Sequence, residues 1–418
     1  MEEWKEYKLG ELYDVHNGLS KGGKFFGSGY PFLSFSTVFK NYFLPQELTN
    51  LVQSSEKEQS NFSINEGDVF ITRTSESADE LGMSSVALKD YPNATYNGFT
   101  KRLRPKGVVE IYPKYIGYYL RSPRFRNNFY GITSSMSTRA SLSNGDLLNM
   151  KVILPLYATQ QKIANILSSL DDKIEVNRRI NEQLEELAGA LFKSWFVDFE
   201  PFKDGEFVDS ELGMIPKGWK VGTLSDIGEV VGGATPSKSK SVYYTDNGIS
   251  WITPKDLSIN KDKFISKGEI DITELGYSKC SAKMMPRGSV LFSSRAPIGY
   301  IAIAKNELCT NQGFKSVVPQ LAGTAFIYYY LKNNVSNIES MASGSTFKEA
   351  SGALMKSLNV IVPPSNILQD FEEKVCSVFD KQESLEQEIR HLTTLRDTLL
   401  PKLMSGEMDV NERGIERT

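Results

Sequence analysis

The feature that most constrains this chain is an apolar stripe that occurs twice. Ile163, Leu167, Leu170, Ile174, Asn177, Asn181, Leu184, Ala188 and Leu191 follow one another at alternating steps of four and three. Adding 208 (371 − 163) gives Phe371, Val375, Val378, Gln382, Leu385, Ile389, Leu392, Arg396 and Leu399, in the same register. A mostly apolar 4,3 spacing held over about four heptads marks a coiled-coil seam. At 1.5 Å per residue each helix would be roughly 50–60 Å long, well beyond an ordinary globular helix. One stripe alone reads most simply as the buried face of a core helix; two in matched register do not. If the globular segments sit at opposite ends of the rod, the second helix must travel back along the first. An antiparallel pair centred on Asn177 then sets Asn181 opposite Gln382 and brings Ile163 near Leu399, with one polar layer that pins register.

The rest of the chain repeats with the helices. Trp4, Leu9 and Leu12 stand 215 residues before Trp219, Leu224 and Ile227. Gly67-Asp-Val-Phe-Ile-Thr is echoed by Gly288-Ser-Val-Leu-Phe-Ser, and the Tyr115-Ile-Gly-Tyr-Tyr-Leu helix by Phe326-Ile-Tyr-Tyr-Tyr-Leu. Lys151-Val-Ile-Leu-Pro is echoed by Asn359-Val-Ile-Val-Pro. The expected fold is α+β: two mixed α/β heads joined by two long antiparallel coiled-coil helices, with an internal pseudo-twofold repeat. The expected boundaries are a first head at 1–156, a helix at 157–197, a linker at 198–218, a second head at 219–364, a helix at 365–405 and a tail at 406–418. Thr159 is the expected N-cap of the first helix, Pro201 and Pro216 exclude helix from the linker, and Pro401 with Gly406 closes the second helix. The contents between the frame elements differ, which suggests two related tasks on different targets.

Composition removes several function classes. No apolar run approaches the roughly 18 residues that span a bilayer. Met1-Glu-Glu-Trp-Lys does not read as a secretory leader, so a cytoplasmic location is expected. Cys280, Cys309 and Cys376 are far apart with no C-x-x-C, which reads as three reduced core thiols and no metal site. Only His16 and His391 are present, a poor basis for histidine catalysis. No Asn/Asp-Pro-Pro-aromatic tetrapeptide of an amino-methyltransferase occurs, and Gly232-Gly-Ala-Thr-Pro-Ser-Lys does not fit the Walker A spacing. The expectation is a reader without catalytic residues.

The net charge is only −3, but Lys101–Arg139 holds nine basic residues against Glu110 alone. Local fields, not totals, steer a polyanion. Thr72, Arg73 and Thr74 follow one apolar strand, and Ser294 and Arg295 follow its counterpart. Ser137, Thr138 and Arg139 lie in a polar loop matched by Ser345, Thr346 and Lys348. Hydroxyls and cations suit phosphate, and an Arg fork suits guanine. Each loop type occurs in both heads, which points to DNA. Lys21 and Lys24 of the first head, and Thr235, Ser237, Lys238 and Lys315 of the second, complete the candidate contacts. Lys101-Arg102-Leu-Arg stays open between a phosphate track and an exposed edge strand. The Phe192, Trp195, Phe196, Phe199 and Phe202 cluster either plugs the head–helix junction, the reading adopted for Trp195, or docks a partner helix. Val176, Ile180, Leu187 and Leu395 lie outside the seam and invite further helices.

Leu191-Phe-Lys-Ser-Trp-Phe-Val-Asp-Phe-Glu-Pro-Phe, Glu211-Leu-Gly-Met-Ile-Pro-Lys-Gly-Trp and Leu399-Leu-Pro-Lys-Leu-Met-Ser-Gly-Glu, set in the head–helix–head–helix repeat, resemble the DNA-specificity (S) subunit of type I restriction–modification systems. The Gly232…Thr235-Pro236-Ser237 turn also occurs at the start of many such heads, whereas the first head has Asn17-Gly-Leu-Ser-Lys-Gly-Gly. The resemblance implies that each head is a target-recognition domain reading half of a bipartite asymmetric DNA site, with the helices setting the spacer. It implies two modification (methyltransferase) subunits carrying S-adenosylmethionine for DNA methylation. It also implies restriction (translocase/nuclease) subunits that use ATP and Mg, and no cofactor or metal bound by this chain.

Overall fold

The computed structural model describes residues 4–75, 80–133, 140–344 and 348–410. They fall into two compact units, residues 1–174 with 391–418, and residues 175–390. Each unit contains one head.

The first head comprises β1 (Lys5–Lys8), β2 (Tyr13–Asn17), β3 (Phe26–Leu33), β4 (Val69–Thr72), β5 (Ser84–Val86), β6 (Thr95–Tyr96), β7 (Thr100–Pro105), α1 (Pro113–Arg121) and β8 (Lys151–Leu154), followed by the long helix α2 (Tyr157–Phe196). Its main sheet is antiparallel, in the order β2–β7–β4–β5. β4 is buried along its whole length because it serves two cores. Val69 and Ile71 face the core that contains α1, and Phe70 faces a second one. That is the period-two alternation of a strand packed on both sides, and it explains an unbroken apolar run.

The second head comprises β9 (Lys220–Thr223), β10 (Gly228–Gly232), β11 (Trp251–Ile252), β12 (Phe264–Ile265), β13 (Val290–Ser294), β14 (Ile298–Ala304), β15 (Cys309–Thr310), β16 (Lys315–Pro319), α3 (Thr324–Met341) and β17 (Asn359–Val362), before the long helix α4 (Ser365–Ser405). Its five-stranded sheet runs β10–β16–β13–β14–β12, with β12 parallel to β14. β13 divides its residues as β4 does: Val290 and Phe292 face one core and Leu291 another. Each head closes by pairing its first strand with its last, Lys5 with Leu154 and Lys220 with Val362.

Between the heads, Pro201 sits in a single 3-10 turn (Glu200–Phe202) and Phe207–Val208 pairs with Ile215–Pro216. Proline is tolerated at the start of a helical turn, where its missing N–H has no partner to lose. Phe192, Trp195, Phe196, Phe199 and Phe202 all pack into the core of the second unit. Phe196 lies 4.9 Å from both Phe326 and Phe371, ring to ring, and Phe202 lies 5.0 Å from Trp219.

Within each unit, positions rise along one long helix as they fall along the other. In the first, Ile163 and Leu167 share a core with Leu400 and Leu403, and Arg396 Nη1 donates to Asp171 Oδ1 at 2.7 Å. In the second, Phe192 meets Phe371, and Gln382 Nε2 donates to the Asn181 carbonyl at 3.2 Å. Ile163, Leu167, Ile174, Phe371, Val375, Gln382 and Leu385 are buried, while Leu170, Asn181, Leu184, Leu191, Val378, Ile389, Leu392 and Leu399 are half-buried.

Two local expectations need correction. α2 starts at Tyr157, so Thr159 lies in its first turn, with its N–H bonded to the Leu156 carbonyl at 2.9 Å. Gln160 ties that turn to the head by accepting from Tyr112 N and donating to the Pro155 carbonyl. Pro401 does not end α4 but sits inside it. A proline there costs about 3 kcal/mol, and burial of Leu400, Leu403 and Met404 in the first head's core holds the turn regardless. In the polar layer Gln382 does meet Asn181, through the Asn181 main chain, and it also bonds to Glu185 and to Lys263 Nζ (2.6 Å).

That layer belongs to a buried charged knot in the second unit. Lys263 lies against the Phe379 ring at 4.2 Å and is ion-paired with Glu185, which also takes Lys332. Burial works against the Glu185 charge, but the two ammonium groups outweigh it and hold the carboxyl well below its ordinary value. Glu386 accepts from the N–H groups of Lys263 (2.7 Å) and Phe264 (3.2 Å). Burial pushes its carboxyl from 4.5 up to about 7, against those two bonds. The folded chain therefore holds a proton on Glu386 that the unfolded chain has released. This stabilisation is complete below pH 4.5 and is lost as the pH rises through 7. Glu386→Gln should flatten that slope, worth at most about 3 kcal/mol, in urea unfolding of the full chain followed from about pH 5 to about pH 8. Asn177 is fully buried, and neither of its amide atoms has a partner among the described residues. Asn177→Leu should raise unfolding stability by about 1–3 kcal/mol, the cost of an unmet buried polar group, measured in the same titration.

Candidate nucleic-acid interface

The candidate polar contact groups are positioned by two backbone loops that meet in each head. In the first, the turn after β2 meets the loop between β6 and β7. Leu19 N donates to the Tyr96 carbonyl at 2.8 Å, Asn97 N to the Leu33 carbonyl at 3.0 Å, and Arg73 N to the Phe99 carbonyl at 3.0 Å. Asn97 folds the loop on itself, its Oδ1 accepting from Phe99 N at 2.6 Å and its carbonyl from Thr100 N at 3.0 Å. This is the side-chain turn that asparagine favours.

The second head repeats these bonds one for one. Ala234 N donates to the Thr310 carbonyl at 2.9 Å, Asn311 N to the Ile252 carbonyl at 3.0 Å, and Ser294 N to the Gly313 carbonyl at 2.7 Å. Asn311 Oδ1 accepts from Gly313 N at 2.8 Å, and its carbonyl accepts from Phe314 N at 3.3 Å. The contact between the two loops needs glycine in both heads. A Cβ on Gly18 would stand 2.1 Å from the Asn97 oxygen, and one on Gly233 would stand 2.1 Å from the Asn311 oxygen. The unlike sequences Asn17-Gly-Leu and Gly232-Gly-Ala thus build the same contact.

Around this platform the candidate residues separate. In the first head Lys24 is exposed, and Arg73 and Thr74 are half-buried. Lys21 is half-buried and ion-paired with Glu58 at 2.8 Å. In the second head Ser237, Lys238 and Lys348 are exposed, and Thr235, Arg295 and Lys315 are half-buried. Arg295 and Lys315 share Glu349, each at 3.5 Å. A cavity of about 600 Å³ beside the second platform is lined by Thr235, Lys238, Tyr244, Trp251, Arg295, Asn311 and Gln312, among others. Lys348 Nζ donates to the Glu339 carbonyl. Ser137, Thr138, Arg139, Ser345 and Thr346 lie outside the described residues.

Four candidates are not surface groups. β7 is interior to its sheet, between β2 and β4, so Lys101-Arg102-Leu-Arg is neither an edge strand nor an exposed track. Lys101 and Arg102 are each 4% exposed. Lys101 Nζ donates to Asn17 and Asn144, and Arg102 Nη1 to the Ser63 carbonyl at 2.6 Å. Thr72 Oγ1 donates to the Glu80 carbonyl, and Ser294 Oγ to the Gly313 carbonyl, both from buried positions. Lys101 and Ser294 thus bond to the platform loops, at Asn17 and Gly313, whereas Thr72 and Arg102 tie neighbouring main-chain segments to the sheet. Sequence reasoning passed over Asn97, Phe99, Asn311 and Gln312. The signal was there, since Asn97 and Lys101 stand 214 residues before Asn311 and Lys315.

Among the described residues, no group of three or more His, Cys, Asp or Glu side chains is arranged to hold a metal, and no helix is long and apolar enough to cross a membrane. The three cysteines are free thiols, but only Cys309 is a core thiol; Cys280 is half-buried, and Cys376 is exposed on α4.

The family described as type I restriction modification DNA specificity domain matches residues 1–186 and 216–393. The HindI type I restriction enzyme specificity subunit of Haemophilus influenzae is 28% identical, over 98% of this chain and its own full length. The MjaIX specificity subunit of Methanocaldococcus jannaschii is 42% identical over 42% of this chain and 41% of its own length. The crystal structure of a type I restriction–modification S subunit from M. genitalium shares the fold, with a TM-score of 0.61 over 96% of each chain at 15% identity. The chain therefore belongs to the type I restriction–modification DNA-specificity family.

Proposed function

We propose that this chain is the non-catalytic DNA-reading subunit of a type I restriction–modification complex, each head reading one half of a bipartite asymmetric site in double-stranded DNA. The observation that carries this reading is the platform built twice with the same backbone bonds and different side chains at its tip. A shared scaffold with unlike contacts suits one polymer read at two unlike sequences. The two long helices form an antiparallel coiled-coil pair that sets the unread spacer. Their lengths of 40 and 41 residues support this role, as do the opposed contacts within each unit.

Modification subunits dock on the helices in this reading. Val176 is 49% exposed, Leu187 58% and Leu395 38%, positions that the chain itself leaves uncovered, and Ile180 is half-buried. S-adenosylmethionine belongs to those partners, and ATP and Mg belong to restriction subunits that join them in the cytoplasm.

DNA affinity of the assembled complex should fall steeply with salt, each neutralised phosphate adding about −0.9 to the log–log slope. A flat slope would argue for a protein scaffold that makes no DNA contact. A heptad inserted at matched positions of both long helices should lengthen the modified site's spacer by roughly 3 bp, since seven residues add about 10 Å. Sequencing modified adenines in a host carrying the altered chain measures the spacer, and an unchanged spacer would remove the ruler.

A further inference from the structure

Most of the platform is fixed by backbone bonds, and the two heads differ where those bonds leave side chains free. The tip of the first loop is Gly98-Phe99 and that of the second is Gln312-Gly313, in matched positions after the loop asparagine. Each tip carries one glycine and one large side chain, in opposite order. Phe99 is 58% exposed, the most exposed aromatic side chain among the described residues. Gln312 is exposed and held by one side-chain bond, from Thr235 Oγ1 to its Oε1. Thr235 comes from the glycine turn of the same head, so that turn both supports the Gln312-Gly313 tip and orients the Gln312 amide. That bond leaves Gln312 Nε2 and the second lone pair of Oε1 available together.

We infer that Gln312 and Phe99 are the specificity-determining side chains of the two loop tips, one reading a base pair in each half-site. This rests on the DNA-reading function proposed above. A side-chain amide with one donor and one acceptor free matches the N7 and N6 edge of adenine in the major groove. A phenyl ring has no hydrogen bond to offer and matches the methyl group of thymine. Gln312 therefore selects an A·T pair in the half-site of the second head, with Thr235 as its positioning residue. Phe99 selects a T·A pair in the half-site of the first.

The test uses the full chain in its host, with every modified adenine mapped by sequencing for the wild type and for Gln312→Ala, Gln312→Glu, Thr235→Val and Phe99→Ala. Gln312→Ala should relax one position of one half-site by roughly 10-fold in discrimination and leave the other half unchanged. Gln312→Glu should move preference at that position from adenine toward cytosine, whose N4 amino group donates to a carboxylate. Thr235→Val should relax the same position by a smaller factor, an effect that a general weakening of the fold would not confine to one base pair. Phe99→Ala should relax one position of the opposite half-site. An unchanged motif in Gln312→Ala and Gln312→Glu overturns the assignment, and so does loss of modification at all sites in both, which would make the tip structural. A wild-type chain that directs no bipartite motif would instead overturn the DNA-reading function itself.

Discussion

The pairing of each head's first strand with its last is the contact on which the architecture rests. β1 with β8, and β9 with β17, join residues about 140 positions apart in sequence, so the loop-closure entropy is spent once for each head. The long helix then begins within three residues, Tyr157 after Leu154 and Ser365 after Val362. The direction in which a helix leaves its head is therefore set by a four-residue antiparallel ladder rather than by a flexible joint. Gln160, bonded to Tyr112 and Pro155, adds a second tie at the start of α2.

Where α2 ends, the fold uses another device. The aromatic load from Phe192 to Phe202 enters the second head's core, and its area alone would hold the helix there without defining its rotation. The charged knot supplies that definition. Lys263 must meet Glu185 and Gln382 at once, and Glu386 must cap the N–H groups at the start of β12. A buried ion pair is weak evidence for stability, because desolvation offsets most of its attraction. Its value here is register: a helix shifted by one turn would strand Lys263 without a counter-charge, at a cost of several kcal/mol.

The long helices and the repeated frame were legible because both are periodic. The 4,3 stripe marks a face whose every position is buried or half-buried, and the 215-residue offset marks equivalent strands. What charge counting could not reveal was which basic residues lie inside. Lys101 and Arg102 follow one another in a strand that looks like an edge until β2 is known to pair with it. Burial with neutral acceptors, the Asn17 and Asn144 amides and the Ser63 carbonyl, is a tertiary outcome. Pro401 failed as a stop signal for the same reason, because packing of the last turn outweighs a local penalty. The loop platform was hidden because its bonds are made by backbone atoms, which carry no residue-type signature apart from two glycines and two asparagines.

That concealment bears on how such a head can change its target. A loop held by side chains cannot vary without loosening, since each substitution removes a bond that the turn needs. In both heads the turn is held by Asn97 or Asn311, by main-chain carbonyls, and by glycine contacts that leave no room for a Cβ. The tip residues carry little of this load, so their side chains are free to differ. The chain bears that difference within itself, with a phenyl ring at one tip and an amide at the other on the same hydrogen-bonded frame. Interior Lys101, Arg102, Thr72 and Ser294 belong to the frame although their chemistry suits a polyanion. Residue type alone therefore ranks contacts poorly in these heads, and the better guide is which side chains the backbone scaffold does not use.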